Sequence, residues 1–175
     1  MRVVAGGLRG RKLAAPADGV TRPTTDKVRE AVFNALTSLD VIVDARVADL
    51  YAGSGALGIE ALSRGAEHCT FVERGRSALS TLEDNIATLG LRDRARVIAG
   101  DAIAIAPRLD VDVVFADPPY DFADWPRLLE AVRAERVLLL VAEAAGPVEA
   151  AAGWEQGRVK RYGRTWVTFL HRSSR

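Results

Sequence analysis

From Arg46 onward, short runs of β-branched and other apolar residues alternate with segments whose apolar positions recur every three to four residues. The pattern predicts strands over 46–51 (RVADLY), 69–73 (CTFVE), 95–100 (ARVIAG) and 111–116 (VDVVFA), with helices over 55–64 and 76–90 between them. A further apolar run, 137–142, has the length of a strand and falls far short of the roughly 20 residues that cross a bilayer. Repeated strand–helix–strand units demand a parallel sheet, helices on both faces and right-handed crossovers. The expected architecture is therefore α/β: a Rossmann-like, doubly wound, mostly parallel sheet with its functional sites at the carboxyl ends of the strands.

The two ends of the chain follow other patterns. Residues 2–5 and 11–15 can pair across Gly6, Gly7 and Gly10 as a small hairpin. In RPTTDKVREAVFNALTSL, Thr24 or Thr25 can cap a helix whose apolar stripe is Val28, Val32, Leu36 and Leu39. At the other end, WEQGRVKRY and RTWVTFLH read as two antiparallel strands joined at Tyr162 and Gly163, closing the sheet. The organisation expected is an extension over 1–40 and a principal domain over 41–175.

A length of 175 residues, about half of them apolar, supports one well-buried core and not two ordinary domains. Cys69 is the single cysteine, so an intrachain disulfide is impossible, and MRVVAGGLRG lacks the apolar core of a signal peptide. A cytoplasmic, monomeric protein is expected. His68 and Cys69 are adjacent in a strand, which sends them to opposite faces, and His171 is the only other histidine, so no metal site is expected. The net charge of +1 hides an uneven distribution. Residues 1–30 carry +4 and 154–175 carry +5, leaving −8 between them. Basic ends around an acidic middle suit a polyanion held at the periphery and a neutral or cationic cofactor at the centre.

Gly53-Ser-Gly55-Ala-Leu-Gly58 directly follows a predicted strand and opens a predicted helix, matching the G-x-G-x-x-G fingerprint in its proper context. Nicotinamide cofactors, flavins and S-adenosylmethionine all use such a turn, so the loop alone does not choose. Asp49 places a carboxylate where a pyrophosphate would be repelled but an ammonium and a sulfonium attracted. Glu73 ends the second strand, where it can accept the ribose hydroxyls of any adenosine cofactor. Asp101 ends the third, where it can accept from an adenine amino group or cap a helix.

Asp117-Pro118-Pro119-Tyr120, at the end of the fourth strand, is the most specific motif. Two prolines stiffen this turn. An exocyclic base amine is a poor nucleophile because its lone pair is delocalised into the ring. The Asp117 carboxylate and the Pro118 carbonyl can each accept one N–H and aim that lone pair at a methyl donor, while Tyr120 stacks on the base. Guanine presents N1–H and N2–H donors together, so an acceptor-only carboxylate leans toward guanine. Adenine in DNA or RNA and a protein glutamine remain alternatives, as do a non-catalytic RNA-binding module and a nicotinamide oxidoreductase.

MRVVAGGLRGRKL, RPTTDKVREAVFNAL, DLYAGSGALGIEALSRGA, DPPY and RYGRTWVTFL together resemble the RsmD family of 16S ribosomal RNA guanine-N2 methyltransferases. RPTTDKVRE is the most specific piece. The resemblance spans nearly the whole chain and implies a class I methyltransferase fold, S-adenosylmethionine as donor and a guanine of the assembling 30S subunit as acceptor. By the same resemblance the cofactor falls to Asp49, Tyr51, Ala52, Gly53, Ser54 and Gly55 at the first turn and to Glu73 and Arg74 at the second. Asp101 and Ala102 at the third turn, and Thr25 and Asp26 from the preceding segment, complete the set. Asp117, Pro118, Pro119 and Tyr120 grip the base. Tyr120 stands where the family commonly has Phe, and the stretch 121–136 is short. Arg9, Arg11, Lys12, Arg22, Lys27, Arg161 and Arg164 are the candidates for RNA contacts.

Overall fold

The computed structural model describes residues 1–15, 26–132 and 136–173. Its frame is a sheet of seven strands: β1 (Arg46–Leu50), β2 (His68–Glu73), β3 (Ala95–Ala99), β4 (Val113–Ala116), β5 (Leu139–Ala144), β6 (Trp154–Tyr162) and β7 (Thr165–Arg172). The spatial order is β3-β2-β1-β4-β5-β7-β6. The first five strands are parallel, and β7 runs antiparallel to both β5 and β6. Strand order reverses between β1 and β4, the switch point at which sheets of this class open a crevice.

Both faces of the sheet's central strands β1, β2, β4 and β5 are covered, which explains their near-continuous apolar runs. Val47, Phe71, Val113, Phe115, Val141 and Phe169 share one buried cluster with residues of α1 (Asp26–Ser38), α2 (Ala56–Ser63) and α3 (Arg76–Thr88). Ala48, Leu50, Val72, Val114, Leu140 and Leu170 face the other way, onto the four-residue helix α4 (Ala102–Ile105) and α5 (Trp125–Ala131). Alternation along each strand thus feeds two cores. Burying a Leu or Phe side chain contributes about 1.5–3 kcal/mol, so these two layers supply most of what opposes chain entropy.

The C-terminal strands pair as the pattern predicts, with a bulge between Gln156 and Val159 that twists the edge strand β6. The N-terminal hairpin forms in short compass: Arg2 and Lys12 make an antiparallel bridge, flanked by Val3 N donating to the Arg11 carbonyl and Leu13 N to the Met1 carbonyl, each at 3.0 Å, across turns at 5–10. What holds this segment is a buried ionic knot. The Glu60 carboxylate of α2 accepts from the amides of Val4 at 2.8 Å and Ala5 at 3.0 Å and from Arg64 Nε at 2.8 Å. Arg29 of α1, fully buried, lies 3.5 Å from Glu60 and also donates to the Arg2 carbonyl and to Asp26. The helix stripe is right at Val28, Val32 and Leu36 but overshoots at Leu39, which lies past the last helical residue and is 47 % exposed. Thr24, Thr25 and Arg22 fall outside the described residues.

Candidate active site

β1 leaves the sheet through Tyr51, whose φ of +62° lies in the left-handed region that side chains seldom adopt. Backbone strain of this sort persists where the surroundings enforce it. Gly53 (φ +56°) and Gly55 (φ +83°) continue the turn, and α2 begins at the next residue. A Cβ on Gly58 would fall 2.3 Å from Phe71 Cε1 and 2.5 Å from Cys69 Sγ. The third glycine of the fingerprint is therefore there so that α2 can press onto β2. Ala52 and Ser54 are buried within the turn, and the Ser54 carbonyl accepts from Asn85 of α3 at 2.9 Å.

Three carboxylates converge beside this turn. Asp49 is buried and accepts from the Gly58 amide at 2.8 Å. Burial first, and then the charges of Asp117 and Glu73, push its carboxyl well above the usual carboxylate range, against the pull of that amide. Glu73 accepts from Gly53 at 2.8 Å with one oxygen and from Arg74 and Gly75 at 2.8 and 2.7 Å with the other, fastening the first turn to the second. Asp117 and Pro118 follow β4, next to β1 in the sheet, with Pro118 buried and Pro119 and Tyr120 exposed. The Tyr120 hydroxyl sits 2.7 Å from Thr165 Oγ1.

On the α4 side a cavity of about 440 Å³ is lined by Tyr51, Arg74, Asp101, Ile103, Pro119, Phe122, Asp124 and Arg127, among others. Tyr51, Phe122 and Trp125 form a chain of edge contacts, with ring centroids 5.5 and 5.2 Å apart. Burial, and then the charge of Asp101, push the Tyr51 phenol up to about 12, so it stays neutral and keeps its proton as a donor. Asp101 does cap a helix, accepting from Ala104 at 3.0 Å, while also bordering the cavity; Ala102 beside it is buried.

The structure thus gathers Asp49, Tyr51, Gly53, Glu73, Arg74, Asp101 and the Asp117–Tyr120 turn at one end of the sheet. It does not gather Arg9, Arg11 and Lys12 there. Arg11 donates to the Thr88 carbonyl at the far end of α3, roughly 20 Å along that helix from Arg76, where a cation suits the helix dipole. Arg9 and Lys12 lie in the same exposed segment, and Asp26 and Lys27 are exposed at the start of α1. Arg161 and Arg164 flank the β6–β7 turn, next to Thr165 and so beside the Asp117–Tyr120 turn. Sequence reasoning missed Phe122, Asp124 and Arg127, because Trp125-Pro126 gives no helical periodicity to place them. It also missed Glu143, a buried acid one step beyond the last β4–β5 pair, Ala116 with Ala142, and so level with Asp117. An acid in an otherwise apolar strand was the available signal.

An acceptor-only cluster at a glycine turn attracts a cationic ligand and repels a pyrophosphate. With the switch-point crevice and the Asp-Pro-Pro-Tyr turn, it defines a class I methyltransferase. The family described as conserved hypothetical protein 95 matches residues 1–171. Ribosomal RNA small subunit methyltransferase D of Escherichia coli (strain K12) is 45 % identical over 122 residues, 69 % of this chain and 60 % of that protein. The protein YlbH of Bacillus subtilis (strain 168) is 46 % identical over 125 residues, 69 % of this chain and 67 % of its own length. These alignments span about two thirds or less of the curated relatives' lengths. Among solved structures, the Escherichia coli protein yhhF superposes with a TM-score of 0.86 at 34 % identity, covering 100 % of this chain and 99 % of that one. The chain belongs to the RsmD family of ribosomal RNA methyltransferases.

Proposed function

We propose that the protein transfers a methyl group from S-adenosylmethionine to the exocyclic N2 of a guanine in the 16S ribosomal RNA of an assembling small subunit, in the cytoplasm. The observation that carries this reading is the convergence of Asp49, Glu73 and Asp117, three acceptors at the mouth of a glycine turn. S-adenosylmethionine fits them. Its ammonium and sulfonium are the cations that such a cluster lacks, its ribose offers two hydroxyls to Glu73, and its adenine matches the cavity beside Tyr51, Ile103 and Phe122. When bound, it supplies an electrophilic methyl carbon.

The chain's own groups do the rest. Asp117 and the Pro118 carbonyl accept the two N–H bonds of the amine and turn its lone pair out of the ring plane; Pro118 and Pro119 keep these acceptors from drifting. Tyr120 covers the base from its exposed position. The methylated ammonium is acidic enough to lose its proton to Asp117 or solvent, so no separate strong base is needed. The β6–β7 turn, beside Tyr120, borders the substrate side. A guanine in structured RNA must leave its stack to reach this turn.

The test is transfer of labelled methyl from S-adenosylmethionine to small subunits lacking the modification, followed by digestion to nucleosides. Label in N2-methylguanosine is the expected result. Label in methyladenosine or in methylglutamine would replace guanine with one of the alternatives, and binding of NADH in place of S-adenosylmethionine would overturn the reaction class. Asp117→Ala is expected to lower kcat by about 100-fold or more while S-adenosylmethionine still binds, since it removes an acceptor used only in the transition state.

A further inference from the structure

Stacking on a base needs only an aromatic ring, and phenylalanine would serve. Tyr120 carries one atom more, and the structure shows where that atom goes: its hydroxyl lies 2.7 Å from Thr165 Oγ1, with either group able to donate. The two ends of this bond differ in rigidity. Thr165 opens β7, whose next residues pair with β5, Trp166 with Ala144 and Val167 with Glu143, and Val167 and Thr168 are fully buried. Tyr120 sits on a loop and is 41 % exposed. The prolines before it restrain the backbone but leave its side-chain torsions open.

On the other side of Thr165 lies the β6–β7 turn, itself well determined. Gly163 has a φ of +61°, Arg161 Nε donates to its carbonyl at 2.8 Å, and the Arg161 guanidinium lies 5.7 Å from the centre of the Trp166 ring. Lys160 lies similarly 5.3 Å from the Tyr162 ring. A basic hairpin tip and an aromatic clamp are thus joined by a hydroxyl pair.

We infer that Thr165 is a positioning residue: it holds the Tyr120 ring at the orientation in which the ring covers the target base, and so links the cationic β6–β7 turn to the Asp117–Tyr120 turn. This rests on the proposed base methylation.

Thr165→Val keeps the shape and removes the hydroxyl. It is expected to lower kcat on undermethylated small subunits by roughly three- to tenfold, the worth of one neutral hydrogen bond. The KM for S-adenosylmethionine and the pH profile stay unchanged. Tyr120→Phe should cost the same factor, the double variant no more than either single one, and Thr165→Ser should recover wild-type turnover. A wild-type kcat for Thr165→Val, or losses that multiply in the double variant, would overturn the inference. A second measurement does not depend on turnover. The chain has three tyrosines, so ring relaxation in tyrosine-labelled protein resolves each of them. In Thr165→Val the Tyr120 ring should gain mobility while Tyr51 and Tyr162 do not. A Tyr120 ring no more mobile than in wild type refutes the link. Failure of the wild-type protein to methylate RNA would instead refute the parent reading.

Discussion

Asp49 shows a single residue working against the stability of its own fold. Its carboxyl is raised by burial and by neighbouring acids, so the protonated form is favoured in the folded chain. Its stabilising share is complete below the ordinary value of 3.8 and is lost as pH climbs through the raised one. Near neutrality the ionised group is thus a liability until a cation arrives. Asp49→Asn keeps an acceptor for the Gly58 amide and removes the charge. It should raise the melting temperature of the ligand-free protein at pH 7–8, with the gain vanishing below about pH 4, while calorimetry shows weaker S-adenosylmethionine binding. Equal melting curves at pH 8 would contradict this account. Asp101 carries a related lesson. Its two readings, helix cap and cofactor acceptor, are not exclusive, since one oxygen caps α4 while the residue also borders the cavity.

The elements were legible to the degree that burial imposed a rhythm. β1, β2 and β4 have both faces covered, so their apolar runs stand out, and α3 shows its stripe while α2 is apolar nearly throughout. α4 has four residues and α5 has seven, beginning Trp-Pro, too few turns for a period to emerge. That is why the cavity's α5 side, Phe122 to Arg127, was invisible while the glycine and proline turns were plain. The same packing that made α2 legible constrains it. Alanine is normally the better helix former than glycine by about 1 kcal/mol, but at position 58 its Cβ would overlap Phe71 and Cys69. Overpacking of this kind costs about 1–3 kcal/mol, so Gly58→Ala should lower stability, read as a reduced denaturant midpoint. The ionic knot gives the N-terminal segment a comparable weak point. Glu60→Ala removes the buried carboxylate beside Arg29, leaving it Asp26, and orphans the amides it held; it should cost about 3 kcal/mol, with amide exchange rising first at Val4 and Ala5.

At the scale of the molecule, the uneven charge that hinted at a polyanion sorts into two roles once the fold is known. Arg11 serves the end of α3, whereas Arg161 and Arg164 border the Asp117–Tyr120 turn. Replacing either of the latter with alanine should reduce the slope of log affinity for RNA against log salt by about 1, and Arg11→Ala should change it less. Equal slopes for all three would mean that the polyanion spreads over the whole basic surface.

The outermost strand carries one more implication. β6 presents Arg158 and Lys160 along the sheet's margin and interrupts its own ladder at the irregular step after Gln156. A stranger's backbone arriving there meets a kinked track and unbalanced positive charge, so the sheet has no easy way to grow by recruiting a copy of itself. Sedimentation at high concentration should accordingly find solitary particles, leaving that margin open to the one long anion whose own charge welcomes it.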